Sequence, residues 1–288
     1  MAQKYALLLG CGDIATRLVA QHSYRLPYQQ FVGVRRRPEN IPSPILPIGG
    51  DLTDKAIWHS LVERFPSQHT DLVFTLTPPE RSDEGYAKGY VEPVAVMLTV
   101  LASTGWCPRR VVFVSSTSVY GQKNGEWVDE SSETKPEHFS GKRLLEAEAL
   151  LESSEFETVM VRFSGIYGPG RFRLLQQVQA GDGGLPEPPQ FTNRIHIDDC
   201  AGVVAHVLSL ETPESLYLGT DSAPAPMWEV KQWLAKEMGL PPGHLQHTTL
   251  SRASKRCRNQ RLLDSGYQFI HSSYQSGYQP IVKTFLEV

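Results

Sequence analysis

Cysteine is scarce in this chain, four among 288 residues. Cys11, Cys107, Cys200 and Cys257 show no C-x-x-C spacing. A disulfide framework or a structural zinc site needs clustered, regularly spaced ligands. The thiols therefore read as reduced and mostly buried, in a cytoplasmic protein. None of the nine histidines stands in a ligand-type pair with a cysteine or another histidine, so no metal site is expected. Neither charge sign dominates: 28 Lys+Arg against 31 Asp+Glu give a net charge of −3. Such a balance offers no field to attract nucleic acid. Long apolar runs are missing too. No stretch approaches the ~18 apolar residues of a membrane span, and the opening run, Tyr5 to Leu9, is too short for a signal peptide. There is no repeat of about 20 to 50 residues and no low-complexity tract. What is present, 40% hydrophobic and 20% charged residues, is the composition of an ordinary soluble protein. The length suits one large domain, or a domain with a smaller annex.

Short apolar runs alternate with longer amphipathic stretches. YALLL (5–9), FVGV (31–34), ILPI (45–48), DLVFTL (71–76), RVVFVSS (110–116) and TVMVRF (158–163) read as strands. They are apolar on both faces, as buried parallel strands are. Helical patterns fall between them at about 14–23, 54–65, 84–103 and 137–153. This alternation predicts an α/β fold with a doubly wound parallel sheet. Beyond Phe163 the chain becomes rich in Gly and Pro, which marks loops. RIHI (194–197) and SLYLGT (215–220) read as further strands. Asp198 or Asp199 reads as the N-cap of a helix to about Leu210. A last helix is expected near 227–238, within a smaller lobe.

The first strand runs into LLLGCGDIATRL. Gly10-x-Gly12-x-x-Ala15 follows a strand and opens a helix, the context that gives such a motif a mechanism. Gly10 permits the tight turn, Gly12 lets backbone approach a pyrophosphate, and Ala15 lets helix and strand pack closely. The helix N-terminus, with Asp13 and Ile14, faces the phosphates. The second strand ends in FVGVRRRPE, with Arg35, Arg36 and Arg37 where an NAD site usually carries a carboxylate. Guanidinium groups suit a 2′-phosphate, so NADP is the preferred cofactor on this reading, with NAD the alternative. Asp51 and Leu52, after the third strand, are placed to border an adenine. The domains follow: 1–165 plus about 193–220 as a Rossmann-type NAD(P)-binding domain, and 166–192 plus 221–288 as a small C-terminal substrate lobe.

The segments GCGDIA, VVFVSSTSVYG, GKRLLEAE, VRFSGIYGPGR and RIHIDDCAGVV, taken in order, resemble the extended short-chain dehydrogenase/reductase family. SKRCRNQRLLDSGYQF is similar to an atypical, YeeZ-like branch of NAD(P)-dependent epimerase/dehydratases. The resemblance covers about residues 5–210. It implies a catalytic Ser or Thr, Tyr and Lys. Ser116 matches the serine that orients the substrate oxygen, and Lys142 the lysine that holds the nicotinamide ribose. His138 falls where the family has its acid/base tyrosine. An imidazole can accept and return a proton near neutral pH. The chain departs from the family in that missing tyrosine, in the spacing of its glycine motif, and in Gly165, where many members have Asn. The resemblance implies hydride transfer at a substrate carbon, in an oxidoreductase or epimerase/dehydratase reaction on a polar small molecule such as a nucleotide sugar. The absent tyrosine keeps a second reading open: a non-catalytic NADP(H)-binding sensor or regulatory protein. No nucleic-acid or membrane partner is expected, and the chain reads as a monomer or homodimer. Tyr167 reads as a packing residue, with a replacement acid the alternative, and Arg162 as an ion-pair residue. The basic run Lys255, Arg256, Arg258 and Arg261 reads as a solvated face, or as phosphate contacts by family analogy.

Overall fold

The computed structural model describes residues 3–247 and 254–287. Seven strands form the central sheet: β1 (Tyr5–Leu9), β2 (Gln30–Arg35), β3 (Leu46–Gly49), β4 (Thr70–Phe74), β5 (Arg110–Ser116), β6 (Thr158–Phe163) and β7 (Leu216–Gly219). Their order is β7-β6-β5-β4-β1-β2-β3. Leu8 lies opposite Gly33 on one side and Val73 on the other, in parallel register. The order reverses at β1, whose neighbours are β2 and β4. In open α/β sheets the ligand crevice lies outside the carboxyl ends of the strands at this switch point.

The strands are buried on both faces because helices cover both. Leu7, Leu8 and Leu9, then Leu72, Val73 and Phe74, and Val111 to Phe113 are at most 1% exposed. Burying each such side chain contributes about 1.5–3 kcal/mol. The covering helices are α1 (Asp13–His22), α2 (Lys55–Arg64), α3 (Asp83–Tyr86), α4 (Glu92–Thr104) and α5 (Phe139–Glu152). Asp54 caps α2 by accepting from the Ala56 N–H at 2.9 Å. Ser82 does the same for α3 through the Gly85 N–H. Gly105, at φ +66°, ends α4 in the left-handed conformation that only glycine adopts readily.

The stretch read from the sequence as one helix over 84–103 is interrupted. A π turn, Ala87–Val91, separates α3 from α4, and Pro93 sits in the first turn of α4. The helical backbone continues from the π turn into α4, and Pro93 lacks the amide that would bond back into it.

The chain divides into two compact units. One comprises 1–119, 136–162 and 201–217; the other comprises 120–135, 163–200 and 218–288. The expected domains have other bounds than these compact units, which group 120–135, 163–165, 193–200 and 218–220 with the smaller one. The cause is strand pairing: Glu126–Val128 pairs with Lys255–Cys257, and Arg194–His196 with Gly165–Tyr167. The smaller unit also carries α6 (Arg173–Gln179), the first turn of α7 (Ile197–Ser209), α8 (Met227–Glu237), α9 (Gln260–Asp264) and α10 (Tyr274–Leu286). Its core gathers Leu175, Val178, Val230, Leu234, Tyr278 and Ile281.

In the larger unit Arg110, 1% exposed, ties down the end of α7. Its guanidinium donates to the carbonyls of Val207 and Leu210 at 2.8 Å and of Glu211 at 3.1 Å, and pairs with Glu157. A cation is favourable at a helix C-terminus, where carbonyls lack partners. No helix among the described residues is long and apolar enough to cross a membrane.

Candidate cofactor site and catalytic residues

A cavity of about 580 Å³ opens at the switch point, lined by residues from five separate segments of the larger unit. Gly10 and Gly12 come from the β1–α1 turn, and Arg35, Arg36 and Arg37 from the end of β2. Asp51 and Leu52 follow β3, and Leu76 and Thr77 follow β4. The two glycines do different work. Gly10 has φ +88°, and a Cβ there would lie 3.0 Å from both Leu76 Cδ2 and the Thr75 carbonyl oxygen. The turn needs glycine to bring β1 and β4 together. Gly12 has ordinary extended backbone, φ −103°, and a Cβ there would meet nothing closer than the Gly10 carbonyl at 3.7 Å. Its missing side chain leaves open space on the cavity wall, as close approach of a phosphate requires.

Electrostatics at this end are cationic. Arg35 is half-buried and reaches the Cys11 carbonyl at 3.5 Å, while Arg36 and Arg37 are exposed. Asp51 Oδ1 accepts from the Thr53 N–H at 3.0 Å and its hydroxyl at 2.8 Å. The Thr53 hydrogen bonds, with Arg36 and Lys88 nearby, hold the Asp51 carboxyl below its ordinary range. The buried Trp58 indole donates to the Leu52 carbonyl at 2.8 Å, which fixes the loop that carries Asp51 and Leu52. Burial pushes the Cys11 thiol up to about 11.

Of the cofactor residues expected from sequence, Gly10, Gly12, Arg35, Arg36, Asp51 and Leu52 come together in this cavity. Asp13, Ile14 and Ala15 form the first turn of α1 outside its lining. Asp13 pairs with Arg17 at 2.7 Å, and Ala15 is fully buried against the fold. The cavity also includes Lys88, Gly89 and Pro93, which the sequence reading missed. Gly89 inside an apparent helix was the available signal.

The expected catalytic residues are arranged differently. Ser116 ends β5, half-buried, and its Oγ accepts from the Ser118 N–H at 3.1 Å. His138 is the exposed N-cap residue of α5, in extended conformation, its ring 5.0 Å from that of Phe139. The His138 carbonyl accepts from the Lys142 N–H at 3.2 Å. Among the described residues, no side-chain hydrogen bond joins Ser116, His138 and Lys142. Lys142 is exposed and lines a separate groove with Asp83, Glu137, Phe139, Arg143 and Glu146. There Arg143 pairs bidentately with Asp83.

Beneath β5 lies a buried polar network. Ser115 Oγ donates to Glu148 Oε1 at 2.5 Å, and Arg162 donates to both Glu148 oxygens at 3.1 and 2.6 Å. Arg162 is thus the ion-pair residue expected from its strand.

In the smaller unit, Tyr167 is 3% exposed and stacks on Tyr278 with ring centres 4.4 Å apart. Its role is packing. The expected helix cap at Asp198 or Asp199 is not made, because α7 already starts at Ile197. Asp199 is instead buried and accepts from the N–H groups of Ile270 and His271 and from the Tyr267 hydroxyl. Burial pushes its carboxyl up, against the pull of these hydrogen bonds. His196, Asp198 and His271 bring ligand-type atoms within 4.8 Å of one another, a grouping that sequence spacing did not reveal. Within the basic run Arg258 is exposed, but Lys255 and Arg256 are half-buried and not simply solvated. Lys255 Nζ donates to the Tyr120 carbonyl at 3.0 Å, and Arg256 Nε to that of Gly125 at 2.7 Å. The Arg256 guanidinium lies over the rings of Trp127 and Phe191.

The parallel order, the glycine turn and the crevice at the switch point define a Rossmann-type α/β protein. The model of the NAD dependent epimerase/dehydratase family matches residues 12–215, and the chain belongs to that family. It is 30% identical to protein YeeZ of Escherichia coli strain K12 over 204 residues, which is 69% of this chain and 70% of that protein. A solved structure from Methylobacillus flagellatus, assigned to the NAD-dependent epimerase/dehydratases, is 35% identical across 99% of both chains, with a TM-score of 0.82. UDP-glucose 4-epimerase from Thermotoga maritima, solved with UDP-glucose, shares the fold. It is 14% identical over 98% of this chain and 99% of that chain, with a TM-score of 0.80.

Proposed function

We propose that this protein binds NADP(H) in preference to NAD(H). It then carries out an oxidoreductase or epimerase/dehydratase-type reaction on a polar small molecule such as a sugar nucleotide, in the cytoplasm. The observation that carries the cofactor reading is the end of β2. Arg35, Arg36 and Arg37 line the cavity where a carboxylate would otherwise bond a ribose 2′-hydroxyl. Gly10 and Gly12 would leave room for the pyrophosphate, and Asp51 and Leu52 would border the adenine. A bound nicotinamide would supply hydride chemistry. From this chain, Ser116 would orient the substrate oxygen, and His138 would exchange the proton with it, directly or through water. Lys142 would support the ribose after turning from its groove.

The test is calorimetric titration with NADPH, NADH and their oxidised forms. Tight binding of the phosphorylated pair, lost by about tenfold or more in Arg35→Ala, is the expected result. Equal affinity for both pairs would remove the 2′-phosphate reading.

One observation favours a second reading, a cofactor-binding sensor without turnover: among the described residues no side-chain hydrogen bond joins Ser116, His138 and Lys142, and Lys142 lines the Asp83 groove. Steady-state consumption of NADPH with candidate sugar nucleotides separates the two. A sensor binds the cofactor and leaves it unchanged.

A further inference from the structure

The π turn Ala87–Val91 is built into the cavity rim. A Cβ at Gly89 would come within 2.7 Å of Pro78 Cα, and one at Gly85 within 2.5 Å of the Glu80 carbonyl oxygen. At these two glycines, helix backbone rests directly on the loop that follows β4. The residue that a π turn adds rotates neighbouring side chains by about 100° around the axis relative to an unbroken helix. Here the turn brings Lys88, Gly89 and Pro93 onto the cavity wall.

Lys88 is exposed and makes no hydrogen bond or ion pair among the described residues. Its charge and that of Arg36 act on the same carboxylate, Asp51, from two different elements. The charged lining is therefore four cations, Arg35, Arg36, Arg37 and Lys88, against the single anion Asp51. A dinucleotide pyrophosphate supplies about two negative charges, and a 2′-phosphate adds about 1.5–2 more at neutral pH. The cationic surplus matches the more highly charged ligand. The Lys88 charge acting on Asp51 also offsets the repulsion between that carboxylate and an incoming phosphate.

We infer that Lys88 is a specificity-determining residue for 2′-phosphorylated adenine nucleotides, a cation carried by the π turn that joins Arg35–Arg37 at the 2′-phosphate. This inference rests on the NADP(H) reading and adds to it a residue from a separate part of the chain.

The probes are adenosine 2′,5′-bisphosphate and AMP, titrated calorimetrically into the wild type, Lys88→Met and Lys88→Arg. Charge-assisted contacts of this kind set the expected scale. The wild type binds the bisphosphate at least about tenfold tighter than AMP. Lys88→Met weakens the bisphosphate by about tenfold and AMP by less than about threefold, and Lys88→Arg restores most of the loss. The salt dependence of bisphosphate binding is shallower in Lys88→Met. Because Lys88 is exposed, its urea midpoint should match the wild type, which separates a binding effect from misfolding. A wild type that discriminates between the probes, with Lys88→Met changing neither or both equally, overturns the inference and leaves the NADP(H) reading standing. A wild type that does not discriminate overturns both.

Discussion

Gly10 and Gly12 stand two residues apart in one turn, yet substitution should separate folding from binding. Gly10→Ala places a Cβ at φ +88°, 3.0 Å from a backbone carbonyl and from Leu76. The left-handed conformation alone costs about 1–2 kcal/mol for an L-residue. The contact with Thr75 backbone adds to this, because that carbonyl cannot swing aside as a flexible side chain would. Gly12→Ala meets neither penalty. Its φ is −103° and its Cβ would have no neighbour inside 3.7 Å. Its effect on stability should stay within about 0.5 kcal/mol, since the backbone there accepts an L-residue. The same methyl would stand where a phosphate must approach. Overpacking of this kind costs about 1–3 kcal/mol, a loss of roughly 5- to 150-fold in cofactor affinity. Urea unfolding and calorimetric titration with NADPH, run on both variants, give the four numbers needed. Gly12→Ala binding NADPH like the wild type would refute the cavity assignment. Gly12→Ala losing as much stability as Gly10→Ala would refute the division of roles.

Glu148→Ala should cost about 3–5 kcal/mol in urea unfolding, because it strands the buried Arg162 guanidinium and Ser115 hydroxyl. Replacing Glu148 and Arg162 together by apolar residues should recover much of that loss, and a cycle of the three variants checks it. The Asp221 carboxyl is pushed up to about 7, mainly by burial. Stability from its neutral form is complete below the usual carboxylate range and is lost as pH rises through about 7. The upper bound on this loss is about 4 kcal/mol. Asp221→Asn should therefore weaken less than the wild type between pH 5 and pH 8 in chemical unfolding. Native protein should expose one quickly reacting thiol to a disulfide reagent. Cys11, Cys200 and Cys257 are buried, whereas Cys107 is half-buried. Four fast thiols would mean that the fold opens readily.

The sheet was legible in the sequence because its strands are buried on both faces. Runs such as YALLL and RVVFVSS carry their environment in their composition. The glycine turn was legible for a related reason: backbone geometry at Gly10 admits almost no other residue. Arg35 to Arg37 were legible as cavity residues because the turn and the strand end fix where the following residues go. Other features depend on long-range contact, which local periodicity does not encode. Within the 84–103 pattern Gly89 is a weak signal, and only its contact with Pro78 makes the π turn explicit. The strand pairing of 126–128 with 255–257, which moves 120–135 into the smaller unit, joins segments far apart in sequence. Tertiary packing also gave Lys255 and Arg256, in an apparent solvated face, carbonyl and aromatic contacts. By itself, then, the sequence determined the strands, the parallel class and the glycine turn, through burial and backbone sterics. Only the tertiary structure decided that Lys88 joins the arginines and that Lys142 lies in a separate groove, because side-chain neighbours across elements are set by packing.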